Sequence, residues 1–322
     1  MQLVVMDYGI ILWLPNKLYI GGRGMREKLT MAFAIIILAV MIPYLGTIVL
    51  TGRVGASTIS VAELDSGKTV SLELNGQYMV LDVEAYLKGV LPTAMEGSED
   101  IEMWKTLAII ERTNIYKKMD GMGNIDEEDL GMKYLSEEEI RQLWGEQNYD
   151  SYMKKLEQAI METAGIVLLY DGEYIDALFH KVSVGTTVSA EELFGEEIPY
   201  LSAVVSSHDV ESKDYMNLVM ISKDTVQELT ILESTEHGYV KRIRCNGEEL
   251  TGEEAQECLG LSSLNFYIED MGEEFRVICL GKGHGMGLSL YGAGTMAAEG
   301  KGYVEILQYY YPGVQLSEKL SL

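Results

Sequence analysis

An α+β fold is what the sequence predicts, and three observations carry that expectation. Short runs of alternating apolar and polar residues flank Asn75-Gly76 and Asp171-Gly172, dipeptides that join hairpin strands. One long stretch, Glu102 to Lys118, is apolar around most of its circumference, as a helix buried in a core would be. Strands and helices mix without regular alternation, and no internal repeat is found, so an α+β domain fits best.

In chain order, residues 1–24 are apolar without a clear period. Met25, followed by Arg-Glu-Lys, offers a second start, which would make those residues a mis-called leader. Residues 1–30 are read as a short N-terminal segment. Met31 to Leu50, MAFAIIILAVMIPYLGTIVL, lies inside an uncharged run from Leu29 to Gly52 and is long enough to cross a bilayer as a helix. Arg23, Arg26 and Lys28 precede it and acids predominate after Arg53, so the positive-inside rule puts the N-terminus in the cytoplasm and residues 54–322 outside. The run is longer than the apolar region of a cleaved signal peptide, which favours a retained anchor. The expected organisation is therefore one extracytoplasmic mixed α/β domain after one N-terminal transmembrane helix at the cell membrane.

Within that domain, Thr58 to Leu91 reads as a hairpin of strands leading into a helix, and Glu102 to Lys118 as the buried helix. Residues 120–150 turn acidic and loop-like, a solvated insertion around a helix from Ser136 to Trp144 whose Ser136-Glu-Glu-Glu139 has capping-box form. A further helix, Tyr152 to Thr163, precedes the hairpin at Asp171-Gly172.

Charge excludes one class of partner. The 322-residue chain has 25 basic and 50 acidic residues, of which five and two precede Val54, so the remainder holds 20 against 48. A domain this acidic is repelled by phosphate backbones, and nucleic acid is excluded as a partner. Cys245, Cys258 and Cys279 show no paired metal-ligand spacing, and an odd count cannot close a disulfide set, so they read as buried free thiols. No cofactor is expected.

Two stretches gather glycines, hydroxyls and histidines. In FHKVSVGTTVSAEELFGEEIPYLSAVVSSHD (Phe179 to Asp209), His180, Ser183, Gly185, Thr186 and Thr187 follow a predicted strand, a cluster suited either to a polyhydroxylated ligand or to a turn around a core histidine. In GKGHGMGLSLYGAGTMAAEGKGYVEILQYYYPG (Gly281 to Gly313), four glycines at alternate positions hold His284 on a backbone with little bulk around it, which would let a ligand approach the main chain.

Together with YLKGVLPTAM, AIIERTN and LGLSS, these stretches resemble the stage II sporulation protein D family, also called SpoIID/LytB, from about Val61 to Gly313. The resemblance implies a membrane-anchored protein acting on peptidoglycan glycan strands, with sporulation or cell-wall proteins as partners. The best characterised members are lytic transglycosylases acting on strands without stem peptides. It also implies substrate contacts by Arg112, His180, Ser183, Gly185, Thr186, Asp209, His284, Gly285 and Tyr291 lining one cleft. Some members bind zinc with cysteines near the first histidine; none lies near His180, so no metal is expected.

One position departs. The family pattern Tyr-Leu-x-Gly-Val-Val-x-x-Glu-Met fits Tyr86, Leu87, Gly89, Val90 and Met95 without a gap, and its catalytic glutamate falls on Ala94. A transglycosylase needs a carboxyl that protonates the glycosidic oxygen and then takes the proton of the sugar's own 6-hydroxyl, and alanine can do neither. Losing a positioned general acid costs about 10²–10⁴ in rate. Glu96 is two residues away and points elsewhere, while Glu111 shares an apolar helix face with Trp104, Ala108 and Ile115, where desolvation would raise its pKa. Two readings stand: a glycan-binding relative that no longer cuts efficiently, or an active transglycosylase with its acid relocated to Glu111 or Glu96.

Overall fold

A computed structural model of the chain describes residues 60–95 and 100–319, together with strand backbone at 5–6, 9–14 and 17–20. The chain divides into two compact units, Met1–Thr58 and Ile59–Leu322. In the first, Val5–Met6, Gly9–Leu14 and Lys17–Ile20 pair antiparallel, with Leu14 opposite Lys17. Sequence periodicity gave no sign of these strands. The expected anchor at 31–50 lies outside the described residues, and among the described residues no helix is long and apolar enough to cross a membrane.

The second unit is the α+β structure that the patterning predicts. Thr69–Leu74 and Gln77–Asp82 form a hairpin whose turn residues, Asn75 and Gly76, both take the left-handed conformation the tight turn demands. The hairpin leads into the helix Val83–Val90, capped by Asp82, whose side chain accepts the Glu84 N–H. A single turn, Leu91–Thr93, follows, and Ala94 closes it by donating its N–H to the Leu91 carbonyl at 3.2 Å.

The long helix Ile101–Met119 runs through the centre. Met103, Trp104, Leu107, Ala108, Ile109, Ile110, Ile115 and Tyr116 are all buried, on more than one face, which is why no single apolar stripe marks it. Around it pack the helices Glu146–Glu162 and Tyr303–Tyr310 and the strand Ile166–Tyr170. That strand pairs with Glu173–Tyr174 across Asp171-Gly172 and, on its other edge, with Gln315–Glu318.

The segment 120–150 is acidic outside but built into the core inside, so it is more than a solvated insertion. Asn124–Asp126 pairs parallel to Thr69–Leu74, and Ile125, Leu130, Leu135, Ile140 and Trp144 are buried. Trp144 meets Trp104 edge-on, with ring centroids 6.0 Å apart. The capping box at Ser136 and Glu139 forms in both directions.

A second, smaller core lies in residues 216–280. A sheet in the order Met216–Ser222, Glu274–Leu280, Asn265–Asp270 and another in the order Leu229–Ser234, Val240–Cys245, Glu248–Thr251 enclose Ile221, Leu229, Ile243, Phe266, Phe275 and Val277 together with the helix Gly252–Leu259. Cys279 is buried here as expected, but Cys245 is half-buried and Cys258 exposed, because Cys258 lies on the outward side of that helix.

Candidate functional site

The chain leaves the main core near Ser212, builds the smaller one and returns through Gly281 to Gly287. The returning segment lies beside the segment that carries His180. Phe179–His180 pairs parallel with Leu288–Ser289, and Val182 bridges Lys282. The alternating glycines make this approach possible. Gly283 has a φ of +107°, and a Cβ there would stand 2.8 Å from the Cβ of His180; a Cβ on Gly287 would run into the Leu178 carbonyl. The glycines thus admit neighbouring protein rather than ligand. In particular Gly285, expected to touch substrate, is buried beneath the Tyr239 ring.

This zipper sets His180 and His284 with ring centroids 5.7 Å apart. His180 is 4% exposed; its Nδ1 lies 3.0 Å from the Met286 carbonyl, which fixes Nδ1 as the protonated nitrogen and leaves Nε2 as an acceptor. That Nε2 is buried without a hydrogen-bond partner among the described residues. Burial, reinforced by the neighbouring His284, lowers the His180 pKa to about 3, so the ring is neutral at ordinary pH. His284 Nδ1 accepts the Met286 N–H at 3.1 Å, and burial lowers its pKa as well.

Two adjoining hollows open at this junction. A recess of about 400 Å³ is lined by Thr93, Ala94, Phe179, His180, Lys181, Ser262, Lys282, Gly283, His284 and Leu290. A broader cleft of about 900 Å³ has Ala94, Met95, Lys181 and Leu290 in its wall together with Asp100, Lys155, Lys213, Asp214, Tyr291 and Thr295. Ala94, Lys181 and Leu290 belong to both and mark where they join.

Of the residues expected to contact substrate, the structure brings His180, His284 and Tyr291 to these hollows together with Ala94. The others lie elsewhere. Arg112 is fully buried, donating to both oxygens of Glu84 at 2.7 and 2.6 Å and to the Ile166 carbonyl at 3.0 Å, so its charge is matched inside the core. Ser183 and Asp209 are fully buried, and the Asp209 carboxylate accepts the Ser183 N–H at 2.7 Å. Gly185 accepts the Ser206 N–H at its carbonyl, and Thr186 bridges Val205, so both belong to the same folded corner. A hydroxyl-rich run after a strand reads alike whether its groups face a ligand or pin a turn, and here they pin the turn.

The acid candidates divide similarly. Glu111 is 6% exposed, and desolvation raises its pKa to about 7, as expected for a carboxyl on an apolar face. It lines neither hollow. Glu96 lies outside the described residues. The carboxylates that do reach the broader cleft are Asp100, which caps the long helix through the Glu102 N–H, and Asp214, 3.5 Å from the Lys282 ammonium. Among the described residues no group of three or more His, Cys, Asp or Glu side chains is placed to hold a metal.

Sequence reading passed over Lys181, Lys282 and Ser262 as contributors. A signal existed for the lysines, since His180 is followed by Lys181 and Lys282 stands two residues before His284 in an otherwise acidic chain.

Known proteins resemble the chain over most of its length. The family model described as "Stage II sporulation protein" (SpoIID) matches residues 75–170, which hold the second strand of the first hairpin, the Ala94 turn and the long helix. The stage II sporulation protein D of Bacillus subtilis (strain 168) is 31% identical over 258 residues, covering 74% of this chain and 75% of that protein. Its counterpart in Bacillus amyloliquefaciens is 30% identical over 260 residues, with 74% and 75% covered. An "Amidase enhancer" of Bacillus subtilis (strain 168) is 22% identical over 297 residues, 72% of this chain and 40% of that one. Identity of 30% or more over 74% of the chain places it in the stage II sporulation protein D family.

Proposed function

We propose that this protein engages peptidoglycan glycan strands in the hollows around Ala94, in a sporulation-related role at the cell wall, and that it holds the strands without cutting them efficiently. It is anchored through Met31 to Leu50 with residues 54–322 outside. The observation that carries the reading is the position of Ala94. It stands in the wall shared by both hollows, against the paired histidines, where the family resemblance would put the acid. The described lining of the recess contains no carboxyl to replace it. The rival reading, in which Glu111 supplies the proton, has the right protonation range but the wrong location, since a general acid must come within hydrogen-bond reach of the oxygen it protonates.

The test uses the purified full-length chain with glycan strands stripped of stem peptides. Co-sedimentation should show binding, and mass spectrometry should show no new anhydro-sugar ends. The Ala94→Glu variant should create or strongly raise cleavage. Robust cleavage by the unaltered protein, abolished by Glu111→Gln with the fold intact, would overturn the reading in favour of a relocated acid.

A further inference from the structure

The smaller core carries an open sheet edge. Met216–Ser222 is the outer strand of its sheet and is bonded on one side only, to Glu274–Leu280. Tyr215 accepts the Gly281 N–H at one end of this pairing, and Glu273 accepts the Lys223 N–H at the other. By the alternation of an antiparallel ladder, Asn217, Val219 and Ile221 therefore bond inward. Met216, Leu218 and Met220 turn their N–H and C=O groups away from the sheet, where those groups have no partner among the described residues.

The side chains of the same residues lie on the face turned away from the core. Met216, Leu218 and Met220 are 59%, 54% and 49% exposed. The register sets Leu280 and Ile278 beside them and Tyr267, 50% exposed, beyond. The opposite face sends Val219, Ile221, Phe275 and Val277 into the core, so the alternation leaves the outer face apolar as well. Soluble proteins protect sheet edges with charge, proline or a bulge. Met216–Ser222, MNLVMIS, has neither charge nor proline, and its register runs without a shift. An apolar edge left open in this way is a template for an added strand.

Charge narrows the occupant. Asp224, Glu269, Asp270, Glu273 and Glu274 stand at the Ser222 end of the sheet. The bases among them are already paired, Lys223 with Asp270 at 2.6 Å and Arg276 with Glu269. Asp224, Glu273 and Glu274 are in no ion pair among the described residues, so this corner keeps an excess of acid. A second copy carries the same net charge of −25 and is repelled as a whole. A lipid surface would leave the free N–H and C=O groups unmatched, and its anionic head groups would meet the acids.

We propose that Met216–Ser222 is a docking edge for an extended segment of another protein, apolar at alternate positions and basic at the end that meets Ser222. The added strand bonds to the backbone of Met216, Leu218 and Met220, lays its apolar side chains over the outer face, and sets its basic end among Glu273, Glu274 and Asp224. The edge begins two residues after Asp214, which lines the broader cleft, so the docked segment ends close to that cleft. The surface is separate from the hollows around Ala94 and does not depend on the glycan reading.

The probe is a synthetic peptide of alternating valine and threonine with two lysines at one end, made with the lysines at either terminus and titrated into the full-length chain. Replacing the lysines with glutamate should weaken binding about fivefold, with the difference shrinking as salt rises. Glu273→Gln with Glu274→Gln should remove most of that difference. N-methylation of the valines and of the threonines gives two further peptides, each lacking the N–H groups of one edge. One of them should lose about tenfold or more and the other should bind as the parent, because an added strand uses a single edge; which one fails gives its direction. Leu218→Lys should abolish binding and Leu218→Ile keep it, while stripped glycan strands bind to both variants as before. Equal binding of the two N-methylated peptides, or binding that Leu218→Lys leaves intact, overturns strand addition at this edge. Tighter binding of the glutamate-ended peptide overturns the basic occupant. A dimer of the chain alone in sedimentation equilibrium, dissolved by Leu218→Lys, overturns the proposal in favour of a second copy.

Discussion

Two buried polar constellations in this molecule are treated in opposite ways. Around Arg112 every bond is made: the guanidinium forks onto both oxygens of Glu84 and reaches the Ile166 carbonyl, and Glu84 also accepts the Gly165 N–H at 3.0 Å. Around His180 the matching stops halfway, with Nδ1 bonded to Met286 while Nε2 and the nearby Ser262 hydroxyl are left without partners among the described residues. The first arrangement joins the helix Val83–Val90, the long helix and the strand Ile166–Tyr170, and so fixes the turn that presents Ala94. The second faces a hollow. A satisfied buried network positions, whereas an unsatisfied one beside a cavity retains bonding capacity for something else.

The largest effect that tests this contrast is on the satisfied side. Arg112→Met leaves the Glu84 carboxylate buried without its counter-charge and should lower stability by about 3–5 kcal/mol, read as a shift of the urea unfolding midpoint. The double variant Glu84→Leu with Arg112→Met should recover most of that loss, because an apolar pair of similar volume leaves no buried charge. An Arg112→Met chain that unfolds at the same urea concentration as the parent would remove Arg112 from its structural role and reopen its place in substrate binding.

A smaller effect is carried by proton linkage. Glu111 has a carboxyl pKa raised from the usual 4.5 to about 7. Below pH 4.5 the group is protonated whether the chain is folded or unfolded. Between 4.5 and 7 only the folded chain keeps the proton, so stability falls as pH rises, by about 3 kcal/mol once the window is crossed. His180 acts in the opposite sense: its pKa is depressed from 6.5 to about 3, so between those values only the unfolded chain takes up a proton and stability falls as pH falls. Thermal melts from pH 4.5 to 7.5 should show Glu111→Gln losing the decline toward high pH, while His180→Asn loses the decline toward low pH. An unchanged slope in Glu111→Gln would mean that the carboxyl is ionised in the folded protein.

Much of this architecture was legible because periodicity and turn chemistry are local. Asn75-Gly76, Asp171-Gly172 and the Ser136 capping box fall where the dipeptides and spacing put them. The site was legible only in part. His180 and His284 come together as the ordered segments implied, yet Arg112, Ser183 and Asp209 turned inward. Nothing in a linear sequence distinguishes an arginine aimed at a ligand from one aimed at a glutamate 28 positions earlier, since the difference is the direction of packing. The second core was legible in part, since Val240–Cys245 and Glu248–Thr251 pair across an Asn246-Gly247 turn of the same kind; what local pattern hides is the distant pairing of Met216–Ser222 with Glu274–Leu280.

The smallest expected effect decides the comparison most cleanly, because it sets one hydroxyl against another. Thr113 Oγ1 donates to the Ile109 carbonyl at 2.6 Å and accepts the Leu168 N–H at 2.9 Å, so Thr113→Val keeps the shape but strands a buried N–H. That should destabilise by about 1–3 kcal/mol. Ser262 Oγ has no protein bond among the described residues to lose, so Ser262→Ala should leave stability within about 1 kcal/mol of the parent, with any change toward greater stability. Its consequence should appear in binding, where loss of the hydroxyl weakens the hold on stripped glycan strands. If Ser262→Ala destabilised as much as Thr113→Val, the hydroxyl would be satisfied within the folded chain, and the difference between the two constellations would vanish. If it changed neither stability nor binding, the recess would be without a ligand-facing hydroxyl.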